Sequence, residues 1–566
     1  MTARTISQIN PHGSEVRADG SVRFRLWAPA CQHVDLVLDD AAASFPMIAM
    51  HDGWHERITP AARSGTRYRF RLPNGLLVPD PASRFQPEDV HGPSEVIDTA
   101  SWEWSDTEWR GRPWREAVLY EFHIGAFTPE GTFRAAIAKL EHLAQLGVTA
   151  IEIMPIADFP GRRNWGYDGV LPYAVDSAYG RPEDLKALVE AAHARGIMVL
   201  LDVVYNHFGP DGNYLSVYAP QFFTSHHKTP WGPAINFDDE GSGEVREFVV
   251  QNALYWLREF HLDGLRLDAV HAILDDSPTH ILVELATRVR QEIPDRHIHL
   301  ILENEHNESR WLRPDIYTAQ WNDDVHHVLH TAITGESGRY YAHYAGDTEK
   351  LGRALAEGFA RRGVPSHHIP SDAFITFLQN HDQIGNRAYG DRIGAIAPPE
   401  AVRAAAAVYL LLPQIPMIFM GEEWNASTPF PFFSDFTGSL AEQVRAGRRA
   451  EFGYTDIPDP QSDDTFHSAK LDWSEAERNR EWIEWYRRIL AVRREHITPE
   501  SAGEYEVIAP GAVVVRWPSG LTLAANLSNV AQPFEAVMPR FRGTFRPLWQ
   551  EGKPGAPWSV AWWRKP

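Results

Sequence analysis

The sequence predicts an α/β chain built on a (β/α)8 TIM barrel, preceded by an N-terminal β-sandwich and followed by a small C-terminal all-β domain. Three observations predict this. From Ala117 onward, eight short apolar runs alternate with amphipathic helices. Fully apolar strands belong to parallel sheets covered on both faces, and eight βα units close into a barrel. Before and after that region the chain returns to β-type segments, the first of them alternating apolar and polar residues as half-buried strands do. The expected limits are 1–105 for the sandwich, of carbohydrate-binding type, 106–497 for the barrel and 498–566 for the last domain. An open doubly wound sheet is the alternative fold.

The elements follow in order. SVRFRLWAP (21–29), HVDLVL (33–38) and TRYRFRL (66–72) read as sandwich strands, separated by turns such as LPNG. A Trp- and Pro-rich linker covers 101–114. The barrel strands are AVLYEF, VTAIEIMP, IMVLLDVV, GLRLD, IHLILE, IYTAQW, FITFL and PMIFM. A helix is expected over 132–146, with Thr132 as N-cap, Ile137, Leu140, Leu143 and Leu146 on one face, and Gly147 as stop. Pro182 opens the next, which buries Leu185, Leu188, Val189 and Ala192 and ends at Gly196. Helices over 244–260 and 279–293 precede the fourth and fifth strands. A helix over 480–496 closes the barrel, and AVVVRW and LTLAANL return to β.

Composition narrows the function. Hydrophobic residues make up 43% of the 566 and charged residues 23%, as in an ordinary globular protein. The formal net charge of −21 argues against a nucleic-acid or anionic-membrane partner, because phosphate binding needs a positive surface. The single cysteine, Cys31, excludes internal disulfides and a cysteine-based zinc site. The first twenty residues lack the apolar core of a signal peptide, and no apolar run is long enough to span a bilayer. The expected compartment is the cytoplasm. The 20 Trp, 18 Tyr and 27 Phe are core material first, but flat rings also stack on sugar faces.

In a barrel, the active site lies where strands end. The third strand ends in Asp202, Asn206 and His207, and the fourth in Arg266, Asp268 and His271. The fifth ends in Glu303, and the seventh in His381 and Asp382. One strand-end carboxylate is usually a helix cap or a solvated loop acid. Four on one rim, with an arginine and histidines between them, point to glycoside hydrolysis, divalent-metal chemistry or a structural ion-pair network. Arg266 lies two residues before Asp268, on the same strand face. A guanidinium there aims the Asp268 carboxylate, which suits a nucleophile, and would repel a metal cation. Glu303 follows an apolar strand and has carboxylate neighbours, so it should hold its proton, which suits a general acid.

DVVYNH (202–207), GLRLDAVH (264–271), LILENEHN (300–307) and FLQNHD (377–382) resemble the four conserved regions of the α-amylase superfamily of glycoside hydrolases, in the same order. Longer stretches, among them MPIADFPGRRNWGYDGV (154–170), QWNDDVHH (320–327) and GEEWNASTPFPFFSDF (421–436), are similar to members acting on trehalose-capped glucans. The resemblance implies Asp268 as nucleophile, Glu303 as acid/base and Asp382 as transition-state stabiliser. It implies that Arg266, His207 and His381 line the −1 sugar site and that the sugar stacks on Tyr167. Asp202, His271, Trp165, Asp324 and His326 are further expected substrate contacts.

The implied reaction is hydrolysis, with retention, of the α-1,4 bond next to the terminal trehalose of maltooligosyl trehalose, without a cofactor. The implied pathway partner is maltooligosyl trehalose synthase. Asn206 matches a calcium ligand of many α-amylases, but the insert that completes that site is not evident, so no metal is expected. Asn304 and Glu305 replace the Ser-Asp pair associated with the subfamily. A branching, debranching or amylase-type enzyme is the alternative within the superfamily, and a binding scaffold on a degenerate barrel the alternative outside it.

Other residues carry two readings. Glu305, two residues from Glu303, can face the same side. His326, His327 and His330 have metal-ligand spacing but also suit a sugar subsite or a surface. His123 reads as a hydrogen-bonded core histidine. Trp165 suits either a stacking platform or a wall, and Glu422 and Glu423 suit either a salt-bridged pair or a substrate contact. GxSxG, HExxH and P-loop motifs are absent, against serine-hydrolase, zincin and NTPase chemistry.

Overall fold

The computed structural model describes residues 11–39, 43–360, 369–453, 456–534 and 547–564. Residues 1–10 of the stretch read as lacking a signal peptide lie outside the described residues. Eight parallel strands close a barrel: β1 (Leu119–Phe122), β2 (Ala150–Ile153), β3 (Met198–Val203), β4 (Gly264–Leu267), β5 (His299–Leu302), β6 (Ala319–Trp321), β7 (Phe374–Thr376) and β8 (Ile415–Phe419), with β8 pairing back onto β1. Seven lie inside the apolar runs, and β8 begins one residue before PMIFM, at Ile415.

Strand periodicity sorts the side chains. In β3, Met198 and Leu200 join an inner cluster with Leu119, Ala150, Ile301, Ile375 and Met417, while Val199, Leu201 and Val203 pack outward against the helices. This apolar layer plugs the barrel. Above it, toward the strand ends, the inward positions turn polar: Glu121 pairs with Glu152 in register, and Asp202 with Arg266. All four are buried.

The helices match the sequence reading with one correction. The segment expected as a single helix over 132–146 is two, Phe133–Ile137 and Leu140–Leu146. Ala138 and Lys139 donate to the carbonyls three residues back, which tightens the chain into a 3₁₀-like turn. The caps are as expected: Thr132 accepts from Ala135 N, and Gly147 takes the left-handed conformation at φ +105°. Pro182–His193 starts at its proline, and Arg480–His496 matches its expected range.

The N-terminal strands form two sheets, one containing Val22–Trp27 and Trp54–Thr59, the other Asp35–Leu38 and Arg67–Arg71. Phe24 and Tyr68 join them edge to face at 4.7 Å. This sandwich seats on the barrel through Arg84, whose guanidinium lies over the Tyr173 and Tyr255 rings. The linker is fastened beneath the barrel by His193, which bonds Asp106 at 2.6 Å and Asp263 at 2.9 Å. A five-stranded antiparallel sheet ends the chain and docks through Trp562 Nε1, which donates to Ala407 O. Among the described residues, no helix is long and apolar enough to cross a membrane.

Candidate active site

Arg266 organises the floor of the site. It projects inward from β4, is only 2% exposed, and lies face-on over Trp321 at 4.1 Å. Nη1 donates to both oxygens of Asp202 (2.9 and 2.8 Å) and to Asp268 Oδ1 at 2.7 Å. Nη2 stands 3.9 Å from Glu303 Oε2. One buried guanidinium thus gathers three carboxyl groups delivered by three neighbouring strands, and it holds two of them, Asp202 and Asp268, by charge-assisted hydrogen bonds.

Glu303 begins the loop after β5. Its Oε2 accepts the backbone N–H of Ala269 at 2.7 Å. Ala269 adopts φ +40°, ψ +49°, a left-handed conformation uncommon for alanine, and this turn points its N–H at Glu303. Burial pushes the Glu303 carboxyl up to about 8; Arg266 pulls against this, while Asp268, Asp323 and Asp382 push it further up. Asp382 opens to the cleft, and Asn386 Nδ2 donates to its Oδ1 at 2.6 Å.

A second chain of contacts crosses the floor. Tyr167 OH donates to Asp202 Oδ2 at 2.6 Å and lies 2.8 Å from His381 Nε2. The Tyr167 and His381 rings stack at 5.1 Å. His381 Nδ1 meets Glu121 Oε1 at 2.5 Å, and the His381 backbone N–H donates to Glu121 Oε2. Burial would lower the His381 pKa, but Glu121 beside it outweighs that and raises it. His207 donates from Nε2 to Tyr167 O, and burial lowers its pKa. His271 accepts from Glu305 N at 3.4 Å.

The structure therefore brings together Asp202, His207, Arg266, Asp268, Glu303, His381, Asp382 and Tyr167. Three expected substrate contacts have their polar atoms engaged within the protein. Asp324 is turned inward: Tyr344 OH donates to Oδ1, and Ala360 N and Asn307 Nδ2 to Oδ2. His326 uses Nδ1 on Leu378 O and Nε2 on Tyr341 OH. With these atoms engaged inward, both residues hold the loops behind the site. Trp165 is a buried wall, stacked on Phe430 and edge-on to His381, with Nε1 donating to Pro431 O.

The open alternatives also resolve. Glu305 has 74% of its side chain exposed, apart from the floor where Glu303 sits. Glu422 accepts from Tyr409, Tyr486 and Gln379, and Glu423 from Tyr120 and His142, so both serve packing. His123 is a buried histidine bonded to Asn164 O, and His330 pairs with Glu336.

Three residues escaped the sequence reading. Glu121 and Glu152 are each the one acid in an otherwise apolar strand, a signal that was available. Asp323, rather than its neighbour Asp324, shares the electrostatic environment of Asp382, and burial pushes it up to about 7. As for calcium, Asn206 is buried with neither amide atom hydrogen bonded. Calcium needs six to eight oxygens. Among the described residues, the one close group of three His, Asp or Glu side chains is His226, His227 and Asp238, in and just after the hairpin that follows β3, and it does not include Asn206.

Comparison with known proteins places this arrangement. Residues 93–220 match the model of the alpha amylase catalytic domain, and 11–80 match carbohydrate-binding module 48, the isoamylase N-terminal domain. Residues 500–562 match a domain of unknown function. The chain is 43% identical over 500 residues to a malto-oligosyltrehalose trehalohydrolase of Deinococcus radiodurans, covering 84% of this chain and 81% of that one. It is 44% identical to the enzyme of that name from Saccharolobus solfataricus, over 86% and 87% of the two chains. A crystal structure from Salmonella typhimurium, described as a candidate alpha amylase, superposes with a TM-score of 0.92 at 44% identity, over 98% of this chain and all of that one. The chain belongs to the malto-oligosyltrehalose trehalohydrolases, within the alpha-amylase family of glycoside hydrolases.

Proposed function

We propose that this protein hydrolyses the α-1,4-glucosidic bond next to the terminal trehalose of maltooligosyl trehalose, releasing trehalose and a shortened maltooligosaccharide. The observation that carries the chemistry is the pairing of unlike carboxyls around Arg266. Asp268 is aimed by the guanidinium, while Glu303 is half-buried and its carboxyl is pushed up to about 8 by desolvation. Two carboxyls with divided roles are what retaining hydrolysis uses.

In this reading Glu303 protonates the glycosidic oxygen as Asp268 attacks the anomeric carbon. Glu303 then deprotonates the water that releases the covalent glucosyl intermediate. Because Oε2 of Glu303 accepts the Ala269 N–H, the transferable proton belongs on Oε1. Asp382 steadies the oxocarbenium-like transition state, and Tyr167 supplies an aromatic face for the −1 sugar. Asp202, His207, His271 and His381 complete the polar lining. We retain domain limits of 1–105, 106–497 and 498–566, a cytoplasmic site of action, and a maltooligosyl trehalose synthase as pathway partner.

The test is product analysis on a maltooligosaccharide and the same chain ending in trehalose. Rapid release of trehalose in preference to cleavage of the plain chain is expected. Equal cleavage of both, or new α-1,6 linkages, moves the enzyme to an amylase or branching role.

A further inference from the structure

A hairpin stands over the mouth of the site, formed by Phe223–Thr229 and Gly232–Ile235. Its pairing is irregular. Thr224 pairs with Ala234 and Lys228 with Pro233, so residues 225–227 face no partner on the other strand. Consecutive strand side chains normally point to opposite faces. Here the bulge turns both histidines the same way, and the His226 and His227 rings stack at 4.8 Å, 5° from parallel. Thr224 Oγ1 fixes the turn by accepting the His226 N–H.

Opposite these rings lies Asp238. His227 Nε2 reaches its Oδ2 at 2.7 Å, and Oδ2 also accepts the backbone N–H of Asp276. Its Oδ1 is buried and has no hydrogen-bond partner. One ligand atom from each of His226, His227 and Asp238 lies within 4.8 Å of the others. The Asp276 carboxylate, 79% exposed, stands 3.9 Å from His227 Nε2. A tetrahedral zinc with bonds of about 2.0–2.1 Å holds its ligand atoms about 3.3 Å apart, so small side-chain rotations close this set around an ion.

We propose that His226, His227 and Asp238, with Asp276 as the fourth ligand, form a binding site for a divalent transition metal, with zinc the best chemical fit. Two imidazoles and two carboxylates suit zinc and its neighbours; calcium and magnesium prefer all-oxygen shells. Metal entry replaces the proton on His227 Nε2 and gives the unpartnered Oδ1 of Asp238 a partner. The ion clips the hairpin to the loop after β4, the strand that leads into Asp268. At the hairpin tip, Trp231 is 49% exposed and stacks flat on His207 at 4.7 Å. The metal therefore fixes an aromatic arm over the −1 region without touching the reacting atoms.

The experiment uses the full chain, stripped with chelator and desalted. Co²⁺ alone is titrated in and followed by visible absorption; Zn²⁺ alone is then titrated by calorimetry. One equivalent of cobalt, with the strong absorption of tetrahedral geometry and displacement by zinc, is expected. Zinc should also raise the melting temperature, since a ligand of the folded state stabilises it. His226→Ala, at an exposed position, and Asp238→Asn, which keeps shape, should each weaken metal binding by at least about tenfold. His226→Ala should keep the wild-type circular dichroism. Absence of a cobalt spectrum and of zinc heat, or binding unchanged in both variants, overturns the proposal.

Discussion

The backbone N–H of Ala269 donates to Glu303 Oε2 over 2.7 Å. The residue following the proposed nucleophile thus holds the proposed acid, and it does so from a left-handed turn. That conformation costs an alanine on the order of 1 kcal/mol and a β-branched residue more. Ala269→Gly should therefore keep activity within about threefold. Ala269→Val should lower kcat by about tenfold or more, because the turn reopens and the N–H leaves Glu303. Steady-state kinetics on trehalose-capped maltooligosaccharide decide it; equal activity of the two variants would show that the clamp is dispensable.

Glu303 sets the alkaline limit of the reaction. Burial raises its pKa to about 8, so the acid form persists below that pH and is lost as pH rises through it. The kcat/KM profile should fall on its alkaline side near pH 8. Glu303→Gln should lose about 10²–10⁴-fold in kcat, the scale of one general acid. Glu305→Gln should stay near wild type, its side chain being largely exposed. A comparable loss at Glu305 would move the acid to that position.

What was legible in the sequence was what periodicity and strand ends encode. Apolar runs located all eight strands, and reading the last residue of each found Asp202, Arg266, Asp268, Glu303, His381 and Asp382. The misses have one cause: side-chain direction past a strand end is set by tertiary contacts. Asp323 and Asp324 are adjacent in sequence, and only the fold decides that Asp324 turns in to Tyr344 while Asp323 meets Gln383 at the rim. Trp231 was invisible for the same reason, since its stacking on His207 depends on a hairpin with irregular pairing.

Asp323 and Asp324 should separate cleanly on substitution. Asp324→Ala leaves Tyr344 OH and Ala360 N without their shared acceptor, which costs on the order of 1–3 kcal/mol. Its melting temperature should fall distinctly. Asp323→Asn should leave stability near wild type and shift the alkaline limb of kcat/KM downward, because Asp323 helps raise Glu303. A limb that stays in place would remove Asp323 from the catalytic electrostatics.

Glu121, on β1, controls His381, which follows β7 on the other side of β8. Its carboxylate outweighs burial and raises the His381 pKa. The imidazolium is thereby favoured, and its N–H at Nε2 faces Tyr167 OH. Glu121→Gln keeps a hydrogen-bond acceptor for the ring but removes the charge, so His381 should become neutral at lower pH. Nuclear magnetic resonance titration of the His381 ring should show its pKa falling, and kcat/KM at neutral pH should drop by roughly tenfold, the lower end of what losing such an orienting partner costs. An unchanged His381 titration would mean that Glu121 serves packing alone.

Glu152 gives a test of the barrel interior that does not depend on substrate. It is fully buried, and burial raises its pKa well above the usual range, with Glu121 and Asp202 adding to the rise and the Arg266 guanidinium and the Trp321 indole opposing it. The folded state therefore keeps a proton that the unfolded chain releases above about pH 4.5. From there to the folded pKa, this one group makes unfolding easier by up to about 1.4 kcal/mol per pH unit. Glu152→Gln removes that dependence. Whatever offset the amide introduces, the melting temperature of Glu152→Gln relative to wild type should climb as the pH rises above about 5 in calorimetry. A flat difference would mean that Glu152 is ionised in the folded barrel, where Arg266 is the cation that offsets its burial.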